Sequence, residues 1–311
     1  MKLDRLMRLG CIGALAVQTA GCTIRPLPEN VTRIDTFAIV HKVRCEARSA
    51  IMHVIYDYIR YTNFSPQLTE YLRNNLERIG DKKFDRLAKG GSFSHIDKYS
   101  NASIALDFKL RGNENNDLSG ASSLARAFAT GADVIGINLT TTRIRDDSRT
   151  FRIVDNWWDL IVNNRERCLR DFRNFGENHV YPITGSLNLL EIIDTFWRLN
   201  ESTNLAVFKD TGESAFIDTL TFTTTVSGSF GPSFSIASPS QRAFLIKDAS
   251  GTFGAGRTDE HQLIVSVYIP DSATSREKSK EIASKAIDVQ QARGVLQGLE
   301  RLTFPLSAVP R

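Results

Sequence analysis

Little in this 311-residue chain marks a chemistry. Its four cysteines, Cys11, Cys22, Cys45 and Cys168, include no CxxC pair, and its five histidines, His41, His53, His95, His179 and His261, show no HExxH or paired-ligand spacing. A zinc site collects its ligands from short turns or one helix face, so a metal centre is not expected. No GxSxG elbow presents a nucleophilic serine. The glycine-rich segments 228–231 and 251–256 lack both the lysine of a phosphate loop and the strand-to-helix context of a dinucleotide site. They read as strand bends and turns. Net charge is scarce too: +4 for the whole chain, of which Lys2, Asp4, Arg5 and Arg8 carry +2. So weak a balance gives no footprint for nucleic acid. What is present is ordinary globular material, 41% hydrophobic and 24% charged, long enough for one large or two modest cores.

The N-terminus carries the clearest signal. Lys2, Arg5 and Arg8 make a basic start, Leu9 to Val17 a short apolar run, and Ala20-Gly21 a small-residue stretch before Cys22. That is the order of a secretory signal, and the apolar run falls short of the about 20 residues that span a bilayer. On the residues alone, a plain cleaved signal, a lipid-modified one and a chance apolar start all stand. Thr19-Ala20-Gly21-Cys22 resembles a bacterial lipobox, with threonine where leucine is usual. The resemblance implies a bacterial lipoprotein, cut before Cys22 and carrying a covalent lipid on its sulfur, with no other cofactor. With Thr23 rather than Asp after the cysteine, it implies an outer-membrane anchor facing the periplasm. Residues 1–21 are then the signal peptide and 22–34 a tether kept extended by Pro26 and Pro28.

In that oxidising compartment Cys45 and Cys168 are the remaining thiols. They form either one disulfide or two separate buried thiols. Each lies on an expected helix, so a bridge would staple two helices together.

Residues 35–91 read as helical. Val40, Val43, Ala47, Ile51, Val54 and Tyr58 recur at helical spacing over 35–61, with His41, Cys45, Met52 and Tyr56 on another face. Ser65-Pro66 opens a second helix carrying Leu68, Leu72, Leu76 and Ile79, and Phe84 and Leu87 a short third piece before Gly90-Gly91. From 92 to 311 the reading is α+β, continuous with the helical part as one domain. A strand is expected over 102–110, a loop over 112–117, a short helix over 119–130, and strands over 133–143 and 149–154 paired through a turn at Asp146-Asp147. A helix follows over 155–175, with Asp155 as its cap, and another over 186–199. Thr219 to Phe230 alternates apolar with hydroxyl residues as a strand does; further strands are expected over 233–237, 242–247 and 262–269, with turns over 248–261. The last element is a helix over 275–302. The fold class is therefore an antiparallel β-sheet meander packed against several α-helices, with an N-terminal helical part and a C-terminal helix. A single-chain membrane barrel is not expected, since six or seven strands fall below the about eight that the smallest such barrels need.

Candidate contacts are few. Arg167, Arg170 and Arg173 form a basic rim on the 155–175 helix that could meet lipid or lipopolysaccharide phosphates, against the blander reading of a solvated face. Asp155 with Asp159, and Asp259-Glu260-His261, are the carboxylate groupings near possible catalytic partners. Ile282, Ala286, Val289, Leu296 and Leu299 give the C-terminal helix a heptad-like seam for self-association or for packing on its own domain. The expected function is noncatalytic: binding or assembly at the envelope, with another envelope protein or a surface polymer as partner. The alternatives are a periplasmic carrier of a lipid or small apolar ligand, and a hydrolase whose site comes together only in three dimensions.

Overall fold

Helix α1, Thr36–Tyr61, is buried on nearly all sides because its apolar positions surround the axis instead of forming one stripe. Asp35 starts it, its carboxylate accepting a hydrogen bond from the Ala38 amide at 2.6 Å, which satisfies one of the amides a helix leaves open. This computed structural model describes residues 34–62, 65–89, 94–128, 131–171, 178, 181–202, 205, 216–235, 245–270 and 274–303. The signal and tether segments lie outside the described residues, Ile34 excepted.

Around α1 come α2 (Pro66–Leu72), a 3-10 turn over Leu76–Arg78, α3 (Lys82–Lys89), α4 (Ser94–Asn101), α5 (Trp157–Asn163), α6 (Arg165–Asp171), α7 (Leu189–Glu201) and α8 (Arg276–Thr303). The strands are β1 (Ser103–Phe128), β2 (Gly131–Asn156), β3 (Phe216–Phe230), β4 (Ser233–Ser235) and β5 (Leu245–Tyr268). They form one antiparallel sheet in the order β2-β1-β5-β3, with β4 also on β5. The α+β class expected from the sequence is the observed one.

Several local expectations are corrected. The loop over 112–117 and the helix over 119–130 are both strand, part of a single β1. Asp146-Asp147 makes no turn but lies inside β2, and the connection between β1 and β2 falls after Phe128. The turn-rich 248–261 is likewise the middle of β5. Asn156, not Asp155, caps α5, accepting from the Trp158 and Asp159 amides at 3.0 and 3.3 Å, and the expected long helix breaks at Asn164 into α5 and α6. The second helix stops at Leu72, so Leu76 sits in the 3-10 turn; Gly80 follows with φ +82, a conformation that glycine adopts without a Cβ penalty. Helix α4 was not anticipated.

Contact density divides the chain into two compact units that do not follow sequence order. The helical unit takes its described residues from Pro28–Arg111, Ser148–Thr224 and Asp259–Arg311. Its main core joins α1 to α2, α5 and α7 with the Ile104, Leu106 and Phe108 side of β1 and the Leu263, Val265 and Val267 side of β5. A second, smaller core lies on the opposite face of those strand segments, where Ala105, Ile264 and Tyr268 meet Ile282, Ala283 and Ile287 of α8. Cys45 on α1 and Cys168 on α6 are joined by a disulfide across 123 positions of sequence. Closing so long a loop removes about 5 kcal/mol of unfolded-chain entropy. The sheet unit comprises Gly112–Asp147 and Thr225–Thr258 among the described residues.

Candidate interaction surface

The helical unit buries several polar groups, of which Glu46, Arg48 and Tyr99 are tied into the fold by hydrogen bonds. Glu46 on α1 accepts from the Leu187 and Leu189 amides at 2.9 and 3.1 Å and from the Ser186 hydroxyl at 3.1 Å. It thereby supplies the start of α7, whose own cap residue Asn188 sits at φ 57 and makes no side-chain capping bond. Lys42, one turn earlier and 1% exposed, has its ammonium pushed down to about 8 by burial, with Glu46 working the other way. Arg48 donates to the Ile161 carbonyl at 2.9 Å and to both oxygens of Glu77 at 2.8 and 2.6 Å. The Tyr99 hydroxyl donates to Glu201 and accepts from the Trp197 indole; burial first, then that acceptor, raises its pKa far above the ordinary range.

The two carboxylate groupings do not become catalytic sites. Asp155 lies one residue before the end of β2 and holds Arg44 in a two-pronged ion pair at 2.8 and 2.7 Å, while Asp159 lies on α5 and pairs with Arg276 at 3.5 Å. They do not share the helix face that their spacing suggested. In Asp259-Glu260-His261 the outer two are buried and Glu260 is exposed, as strand alternation requires. The His261 Nε2 lies 2.5 Å from the Tyr181 hydroxyl, and the ring is only 2% exposed. A hydrolytic base must reach a substrate; this imidazole reaches a core tyrosine. No group of three or more potential metal ligands occurs among the described residues.

Arg167 and Arg170 lie exposed on α6, and Arg173 lies outside the described residues, as does Cys22. On α8 the seam residue Ile282 packs against the unit's own strands and Ala286 is buried, with Lys285 exposed. No described helix is long and apolar enough to cross a membrane, which says nothing of strands.

The sheet unit has the opposite character. Ser119, Ala121, Asn138, Thr140, Ser250 and Thr252 line one shallow depression of about 180 Å³, which places them on a common face. Thr225 meets Thr258, and Ser233 pairs with Ser250, at the same offset along β5, so β3 and β4 form one line with a break at Gly231-Pro232. Strand alternation then adds Ser227 and Ser229 to the hydroxyl face. The other face takes the intervening positions: Leu118 (49% exposed), Leu139 (73%), Phe253 (49%) and Phe230 (68%), with Ile135, Ile137 and Val226 also exposed. At one end of that apolar face Glu114 holds Arg145 at 2.9 Å and Arg257 at 2.8 Å, an ion-paired belt four residues before Leu118. Val134 and Ile144 are the apolar exceptions on the hydroxyl face. Sequence reading found this alternation in β3 alone. In the sheet unit's parts of β1 and β5 the apolar positions are widely interrupted by glycine, serine and asparagine, which gives 112–117 the look of a loop, 119–130 that of a helix and 248–261 that of turns.

Among solved structures, the InvG secretin domain β-barrel of the Salmonella SPI-1 injectisome is similar over 59% of this chain and 68% of that chain, at 8% identity and a TM-score of 0.22. A protein of Sinorhizobium fredii (strain NBRC 101917 / NGR234), described as "Uncharacterized protein y4kA", is 33% identical over 268 residues, covering 83% of this chain and 81% of that protein. The family described as "Uncharacterised protein y4kA" matches residues 25–300, and with both matches spanning most of the length, the chain belongs to the y4kA family.

Proposed function

We propose that this chain is a lipid-anchored protein of the bacterial envelope, attached at Cys22, with a noncatalytic assembly role carried by the sheet unit. The observation that carries the assembly role is the exposed apolar face of Leu118, Leu139, Phe230 and Phe253. Contiguous apolar surface of this kind marks an interaction site, because leaving it in water costs about 25 cal/mol per Å². The anchor rests on the basic start, short apolar run and lipobox-like Thr19-Ala20-Gly21-Cys22. A carrier of lipid-like ligands fits less well, since the depression on the sheet is open and lined by hydroxyl, amide and glycine groups.

Labelled palmitate fed to a competent bacterial host tests the anchor. Incorporation is expected in the natural chain and its loss in Cys22→Ser; an unlabelled natural chain overturns the proposal.

A further inference from the structure

We propose that several copies of this chain join edge to edge, β2 of one to the β3–β4 line of the next, and close into one membrane-crossing β-barrel. The Leu118, Leu139, Phe230 and Phe253 face turns to lipid and the serine- and threonine-lined face to an aqueous lumen. The membrane in which this happens rests on the anchored-envelope reading above; the closure rests on the sheet itself.

Four properties of the sheet unit lead here. First, both faces are exposed and they differ in kind, hydroxyl on one apart from Val134 and Ile144, and apolar on the other, which is the division between lumen and lipid along a barrel strand. Second, the lengths fit. From Leu118 to the end of β1 is about 11 residues, from the start of β2 to Thr141 about 11, and from the start of β5 to Phe253 about nine, against the about 9–11 that a tilted strand needs to cross a bilayer. Third, the apolar face stops at a charged belt, Glu114 with Arg145 and Arg257, where a membrane-crossing strand would meet water. Fourth, the strand order ends in β2 on one side and the β3–β4 line on the other. Hydrocarbon tolerates no unpaired backbone edge, so a sheet that enters it must have both edges paired.

Among the described residues the sheet ends in these two edges, and a second copy supplies a partner for each. The two edges are different strands, so their pairing is head-to-tail, and repeated head-to-tail contacts form a ring where the rotation between copies closes and an open filament where it does not. The strand count that argues against a single-chain barrel is no obstacle to an assembled one. Two copies reach about eight strands, and about four copies reach the roughly 16 at which barrels enclose a water-filled channel.

The test uses the full chain in the outer membrane of a bacterial host. Thr142→Cys on β2 is combined in turn with Thr225→Cys, Ser227→Cys or Ser229→Cys on β3, and the membranes are oxidised. At least one pair is expected to give a ladder of linked species beyond the dimer, with every single variant staying unlinked. No ladder from any pair, or dimers from Thr142→Cys alone, overturns the closure. Adjacent positions on β2 then separate the faces in planar bilayers. The purified natural chain is expected to conduct ions, Thr140→Glu to conduct with a several-fold higher preference for cations, and Leu139→Glu to lose conductance while keeping the thermal transition of the helical unit. Absence of conductance in the natural chain, or equal effects at 139 and 140, overturns the lumen and lipid assignment. A photoreactive residue at position 139 is expected to capture lipid; capture of a foreign protein instead overturns it. Palmitate-labelled chain that stays single and nonconducting defeats the barrel and leaves the anchor standing. Unlabelled chain that links and conducts defeats the anchor alone.

Discussion

On β1, Ile104, Leu106, Phe108 and Leu110 are all buried, yet Leu118 on the same strand is half exposed. The neighbouring positions make the contrast sharper: Ala105 and Asp107 are buried too, whereas Ser119 and Ala121 line an open depression. In the helical unit both faces of a strand are covered, one by α1 and its neighbours, the other by α8. In the sheet unit no described helix covers either face. Strand is therefore formed in two environments by two kinds of sequence. Where helices cover it, apolar residues fill the inward positions on both faces and Asp107 is tied to Arg152 at 3.3 Å. Where they do not, alternate residues divide into hydroxyl and apolar, and the apolar half stands exposed.

This contrast can be broken, beginning with the largest effect. Removing the disulfide with Cys45→Ala and Cys168→Ala together is expected to lower the stability of the helical unit by up to about 5 kcal/mol. Chemical denaturation with and without reductant measures it, and superimposable curves for natural and double-variant protein would show that the bridge is not what holds α6 to α1. Next, Phe108→Ala in the covered part of the sheet should cost about 3–5 kcal/mol, and Phe230→Ala in the uncovered part less than about 0.5 kcal/mol for the protein in aqueous solution. Equal losses would mean that the two regions do not differ in the way their exposures say.

Glu46→Ala probes how the helical unit handles buried polarity. It strips the acceptor from the Leu187 and Leu189 amides and should cost about 1–3 kcal/mol; an unchanged urea midpoint would show that the start of α7 finds another acceptor.

The smallest effect is a pH slope. Lys42 is held near 8 when folded against about 10.4 when unfolded, so between those values the unfolded chain binds more protons and stability rises with pH. The burial penalty is full below pH 8 and is relieved as pH climbs through the folded value, by on the order of 1 to 2 kcal/mol after solvent screening. Tyr99, raised by burial, works in the other direction above about pH 10, so the gain is sought between pH 8 and 10. Thermal unfolding across that interval should show the rise in the natural chain and lose it in Lys42→Met.

The elements legible in the sequence were those whose environment is one-sided or apolar. Helix α1, with Asp35 at its start, and α8 emerged within a residue or two, and β3 showed its hydroxyl and apolar alternation openly. Parts of the long strands were legible, at 102–110, 133–143, 149–154 and 262–269, but not their continuation through the segments between, for a physical reason. Gly112 to Asp117 has the composition of a loop, and Asp146-Asp147 that of a turn, because a strand with no core on either face is free to carry small and polar residues. Only pairing with neighbours makes them strand, and local propensity does not see a neighbour 130 residues away. The same blindness hid Asn156, whose amide reaches the Ala102 carbonyl at 2.9 Å while its carbonyl oxygen caps α5.

By itself, then, the sequence determined the α+β class, the central helix and the absence of the spaced motifs that metal, phosphate or serine chemistry requires. These follow from composition, period and capping, all local quantities. The tertiary structure decided that Cys45 and Cys168 are joined, that Asp155 and Asp159 serve separate ion pairs, and that segments read as loops are strands with one apolar and one hydroxyl face. Each of these depends on which distant residues pair, and that is settled by burying the most apolar surface and satisfying the most backbone groups at once.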